Sequence, residues 1–200
     1  MYSFATKILK LLLFIVNGQM NVINKQKLPT NQPFIIVCTH KSWIDVVCLG
    51  IALYPLPVYF MAKKELFQTK LIRKLLENLN AFPVDRENPG PSVLKIPLKL
   101  LRQNKVVGIF PSGTRDSEEK ALKNGAIHIA SKANVPIMPA VYIGPSSIKG
   151  LLARKKRTII IGDCIEVPKL NNDKETIIKA ANELISNEFK KLIHTESNLI

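Results

Sequence analysis

The chain has 200 residues, 46% of them apolar, enough for one domain with a sizeable core and too many for a disordered chain. Lysine and arginine total 29 against 15 acidic residues, a formal charge of +14, so the surface seeks phosphate in nucleic acid, anionic lipid or a phosphorylated small molecule. The cysteines, Cys38, Cys48 and Cys164, are odd in number and form no CxxC pair, which argues against a disulfide framework or a thiolate zinc site and fits reduced thiols in a cytosolic compartment.

Residues 2–17, YSFATKILKLLLFIVN, read as a helix. Its apolar run from Ile8 to Val16 is broken by Lys10 and is far short of the roughly 20 residues a spanning helix needs. The polar stretch from Asn17 to Asn21 offers no small-residue cleavage site. We expect an apolar helix resting in the lipid interface, against the alternative of one that packs on the domain. Residues 1–17 are accordingly set apart from a domain over 18–200.

Further along, a short strand is expected around Val22-Ile23, and the β-branched run Pro33 to Cys38 reads as a buried strand leading into Thr39-His40-Lys41-Ser42. Residues 43–53 read as a helix and Leu56 to Met61 as a strand. Glu65 to Leu79 reads as one helix, with Leu66, Phe67, Leu71, Ile72, Leu75 and Leu79 near helical spacing. Ala81 to Val84 is a strand, Asn88 to Pro91 a turn, Ser92 to Gln103 a basic amphipathic helix, and Val106 to Phe110 a strand. Lys120 to Ala133 is helical, and Ile137 to Ile143 is a strand whose internal Pro139 suggests an edge, an end or a bulge. Thr158 to Ile161 is a strand and Asp173 to Ile193 a long helix. The alternation predicts an α/β fold, a single domain with a central mixed, largely parallel sheet flanked by helices. Such sheets place ligands at the carboxyl ends of their strands, where His40, Arg86 and Arg115 fall.

The first of these is Thr39-His-Lys-Ser-Trp-Ile-Asp45. Residues five apart on one helix are about 140° apart, so His40 and Asp45 meet only if His40 lies in the loop and Asp45 in the first helical turn. Asp45 would then orient the imidazole as a general base. Ser42-Trp-Ile-Asp45 equally fits a helix capping box, which leaves His40 an ordinary loop residue. Spacing alone does not choose between the two.

The remaining blocks carry a resemblance. His40-x-x-x-x-Asp45, Ala81-Phe-Pro-Val-Asp-Arg86, Phe110-Pro-Ser-Gly-Thr-Arg115 and Val135-Pro-Ile-Met-Pro139, with Ala62-Lys63-Lys64-Glu65-Leu66 between the first two, resemble in order the blocks of the glycerolipid acyltransferase family over roughly residues 30 to 145. The resemblance implies that His40 is the base and Asp45 its orienter, and that a fatty acyl group passes from acyl-CoA or acyl carrier protein to the 2-hydroxyl of 1-acylglycerol-3-phosphate. Glycerol-3-phosphate or another lysophospholipid is the alternative acceptor. No metal, cofactor or covalent enzyme intermediate is implied. The phosphate is expected on Arg86 and Arg115, with Lys63, Ser112, Gly113 and Thr114 beside it; an arginine fork gives paired charge-assisted bonds. For each arginine taken singly, a surface ion pair is the competing reading, with Asp85 or Glu87 near Arg86.

Two departures stand out. Ser112 replaces the glutamate common in the third block, and Thr39 replaces the asparagine frequent before the histidine. Cys38 beside the site reads as inert packing. The run Arg154-Lys-Lys-Arg157, the basic helix and the apolar N-terminal helix together predict peripheral or monotopic attachment to the anionic cytoplasmic face of the cell membrane. A basic nucleic-acid-binding module lacks support, since no RNA-recognition, KH or zinc-finger pattern occurs and aromatics are 6%. A catalytically dead membrane adaptor is opposed by the intact His40 and Asp45.

Overall fold

A computed structural model of the chain describes residues 2–85, 90–110, 116–170 and 173–197, without the side chains of 116–123 and 196–197. Seven strands form one sheet in the order β1-β7-β6-β2-β5-β3-β4. They are β1 (Asn21–Ile23), β2 (Ile35–Cys38), β3 (Val58–Lys63), β4 (Ala81–Val84), β5 (Val106–Ile109), β6 (Ile137–Ile143) and β7 (Thr158–Ile161). All pairings are parallel except β6 with β7. This is the mixed, largely parallel sheet that the alternating pattern predicts.

The central strands β2, β5 and β6 are apolar on both faces because both are covered, as parallel sheets require. Ile35 and Val37 of β2 point into one core, with Val107 and Ile109 of β5 and the helices α4 (Ser92–Arg102), α5 (Asp116–Ala133) and α7 (Lys174–Ser197). Ile36 and Cys38 point to the other, with α2 (Trp43–Leu53) and α6 (Ile148–Leu152); Leu13 and Val16 of α1 (Tyr2–Asn17) pack onto that side. Between α3 (Lys70–Asn78) and β4, α4 and β5, and α5 and β6, the chain turns on Asn80, Asn104 and Asn134, with φ of 59°, 56° and 55°. Asparagine is among the few non-glycine residues that enter this left-handed region readily.

Two elements differ from the sequence reading. The expected helix from Glu65 to Leu79 is split into a 3-10 turn (Lys64–Phe67) and α3, with Thr69 extended between them. Phe67 alone of that apolar series is buried, and the chain bends to bring it in; Arg73 Nε donates to the Phe67 carbonyl across the break at 2.9 Å. Pro139 does not lie on an edge, since β6 runs between β7 and β2. It sits where the β7 ladder is interrupted, between the Ile137–Ile165 bridge and the Ala140–Ile161 pair. There its carbonyl accepts from Gly162 N–H at 2.8 Å and no N–H is required of it.

Candidate active site

Strands β2, β5, β3 and β4 lie side by side and level, with Ile36 paired to Gly108, Gly108 to Phe60 and Phe60 to Ala81. Their carboxyl ends therefore share one edge of the sheet, and the residues after Cys38, Ile109, Lys63 and Val84 begin there. Lys63 stands exposed at the end of β3. Asp85 follows β4 and pairs with Lys64. Arg86, and Ser112 to Arg115, lie outside the described residues; the residues flanking them, Asp85 and Phe110, follow β4 and β5 at this edge.

At this edge the histidine and aspartate meet as the loop-and-helix placement requires. His40 Nδ1 lies 2.8 Å from Asp45 Oδ1. Asp45 is 1% exposed, and its second oxygen accepts the backbone N–H of Lys41 at 2.6 Å and of Ser42 at 2.9 Å. A buried carboxylate is costly unless such donors replace water, and its place at the N-terminus of α2 adds the favourable helix dipole. Ser42 is the N-cap, with both halves of the capping box present. The two readings of this segment are thus not alternatives: one oxygen of Asp45 serves the cap and the other the imidazole. Because a carboxylate only accepts, Nδ1 carries the proton and Nε2 the lone pair, the tautomer a general base needs.

The floor of the site is aromatic. The His40 ring tilts against Phe110 at 4.9 Å between centroids, and Phe110 stacks on Phe60 at 5.8 Å. Phe60 in turn fills the space above Gly108, where an added Cβ would come within 2.4 Å of the ring. This support was missed in the sequence, although a glycine inside an apolar strand signals a close approach. Thr39, one of the two departures, ties the loop to β6: its Oγ1 accepts from Tyr142 N–H at 3.3 Å, and its own N–H donates to Ala140 carbonyl at 3.3 Å. Cys38 is fully buried. Burial, then the Asp45 charge, push its thiol well above the ordinary range, so it is no thiolate at neutral pH.

The basic run is corrected at one position. Arg157 is 2% exposed and is not part of a surface patch. Its guanidinium donates to Asn17 Oδ1, to Gly18 carbonyl at 2.7 Å and to Leu13 carbonyl at 3.2 Å, closing the last turn of α1. Spacing could not show this, because the partners lie some 140 residues away in sequence.

The family model described as Acyltransferase matches residues 19–143. A 1-acyl-sn-glycerol-3-phosphate acyltransferase of Bacillus subtilis is 50% identical over 163 residues, covering 82% of this chain and 81% of that protein. The protein of that name from Streptococcus pneumoniae is 35% identical over 193 residues, 96% of this chain and 72% of its own. In fold, the crystal structure of the 1-acyl-sn-glycerophosphate acyltransferase from Thermotoga maritima superposes with a TM-score of 0.69 at 21% identity, covering 96% of this chain and 79% of that one. With its His40–Asp45 pair at the carboxyl edge of a matching sheet, this chain belongs to the acyltransferase family.

Proposed function

We propose that the chain transfers a fatty acyl group from acyl-CoA or acyl carrier protein to the 2-hydroxyl of 1-acylglycerol-3-phosphate, giving phosphatidic acid for phospholipid synthesis. The observation that carries this reading is the 2.8 Å contact between His40 and a buried Asp45, in a chain half identical to a relative of that name.

A hydroxyl is a poor nucleophile until its proton leaves, whereas a thioester is already activated. His40 Nε2 takes the hydroxyl proton as the oxygen attacks the thioester carbonyl carbon. Asp45 stabilises the resulting imidazolium through Nδ1. The tetrahedral intermediate collapses with loss of the thiolate, and the imidazolium returns the proton to the departing sulfur. No group on the protein is acylated. In this reading Arg86 and Arg115 bind the acceptor phosphate, and Lys63, Ser112, Gly113 and Thr114 contribute to that binding. Ser112 in place of a glutamate leaves one negative charge fewer next to an anionic substrate.

The acceptor is a lipid, and two apolar surfaces suit its source. Among the described residues no helix is long and apolar enough to cross a membrane. One face of α1 packs on the domain through Thr6, Leu13 and Val16, while Phe4, Ile8, Leu11, Leu12, Phe14 and Ile15 stand exposed. That division suits a helix lying in the interface plane. Leu71, Ile72 and Leu75 of α3, downstream of the β3 end of the catalytic edge, are exposed as well. In this reading the enzyme sits peripherally on the cytoplasmic leaflet, drawing the acceptor from lipid and the donor from the cytosol.

The test is turnover by the purified chain with lysophosphatidic acid and either acyl-CoA or acyl carrier protein thioester. Phosphatidic acid is expected with at least one donor. Absence of product with both contradicts the proposal.

A further inference from the structure

A second basic feature lies away from the catalytic edge. An open cavity of about 390 Å³ is bounded by α1, the β1 segment and the last turn of α2, within the roughly 300–1,000 Å³ range of small-molecule sites. Helix α2 runs from the His40 loop to this cavity, and its 11 residues span about 16 Å. Lys7, Lys10, Lys25 and the buried Arg157 line it, and no carboxylate does. Helix α1 has no acidic residue in its sequence. Among the described residues none of the three lysines has a carboxylate within ion-pair distance. Lys25 Nζ donates to Tyr54 carbonyl at 2.8 Å, leaving two of an ammonium's three donors for a ligand. Burial, and next the neighbouring Lys10 charge, lower the Lys25 pKa from its ordinary value, so an anion here would relieve an existing repulsion.

The rest of the lining is apolar, with Leu11, Phe14 and Met20 among it. On the α1 wheel, Lys7 and Lys10 lie to one side of the exposed stripe Phe4, Ile8, Leu11 and Ile15. A ligand that places an anion on the lysines and carbon chain along Leu11 and Phe14 satisfies both halves of the site. We infer that this cavity binds the headgroup of an anionic phospholipid, at a site separate from that of the acceptor, and so makes docking of α1 selective for anionic membrane.

This rests on the interfacial reading of α1, and the experiment separates the two. The full chain is sedimented with vesicles of phosphatidylcholine alone and of phosphatidylcholine with phosphatidylglycerol. Compared with it are the pocket variant Lys10→Gln/Lys25→Gln, the stripe variant Phe4→Ser/Ile15→Ser, and Lys155→Gln/Lys156→Gln, which removes two exposed charges outside the cavity. The pocket variant should lose about tenfold in binding to the anionic vesicles and nothing on the zwitterionic ones, and the Lys155/Lys156 variant should lose much less. An equal loss in those two variants means diffuse surface charge and overturns the site. A stripe variant that binds both vesicle types normally instead removes the interfacial reading. To distinguish lipid from free phosphate, the melting temperature is read with short-chain phosphatidylglycerol and with inorganic phosphate at equal concentration. An upshift with the lipid alone, absent in the pocket variant, is expected; an equal upshift with phosphate overturns the lipid assignment.

Discussion

Asp45 and Arg157 are opposite charges buried in the same helical layer, and the fold satisfies both with helix-end groups rather than with each other. Asp45, at the N-terminus of α2, is met by two backbone N–H groups and an imidazole. Arg157, at the C-terminal end of α1, is met by two backbone carbonyls and an asparagine oxygen. Each sits at the helix end whose partial charge opposes its own. The difference lies in what is left over. The donors around Asp45 leave one oxygen for the His40 imidazole, the arrangement the proposed base needs. The acceptors around Arg157 fasten α1 to the sheet, so burial there serves attachment.

Substitutions should separate these roles, the largest effect coming from His40→Ala. Loss of a general base is expected to lower kcat by about 10² to 10⁴; it also takes one donor from the buried Asp45, which should cost about 1–3 kcal/mol, so kcat is read on protein shown to be folded. Near-normal kcat would remove the base assignment. Arg157→Met should leave the Gly18 carbonyl and Asn17 Oδ1 without their donor and cost about 1–3 kcal/mol, read as a lower denaturation midpoint, while kcat of the folded protein holds. A fall in kcat without loss of stability would instead tie Arg157 to the site. Gly108→Ala forces a Cβ into the Phe60 ring and should cost a comparable 1–3 kcal/mol, roughly that of overpacking. Unlike Arg157→Met it should also lower kcat, since Phe60 stacks on Phe110 and Phe110 on His40. Unchanged kcat would make the aromatic floor mere packing. Ser42→Ala should be mildest, about 1 kcal/mol for a lost cap, with Asp45 still holding His40; a loss of kcat as deep as that of His40→Ala would show the cap and the base to be inseparable.

The sheet was legible because its strands are β-branched runs separated by helical periodicity, and the strand ends placed His40 correctly. Leu71, Ile72 and Leu75 do lie in a helix, as their spacing says; what spacing does not show is the break at Thr69, where the chain turns to bury Phe67. The two-sided use of Asp45 was legible only as two competing motifs, since spacing cannot show that each oxygen goes its own way. Arg157 and the Gly108–Phe60–Phe110 support depend on contacts between distant segments, which local pattern does not encode. Arg154 to Lys156 stay exposed, so only the last member of that run changes its meaning.

The most direct measurement is steady-state turnover of Asp45→Asn against the unmodified enzyme. The amide oxygen can stay on the Lys41 and Ser42 N–H groups, but its NH₂ then faces Nδ1 and drives the imidazole proton to Nε2, where it blocks the base. A fall in kcat of about 10² to 10⁴ is expected, with KM for lysophosphatidic acid little changed and the fold intact. Full turnover in a folded Asp45→Asn protein would remove the orienting role and leave Asp45 as a helix cap.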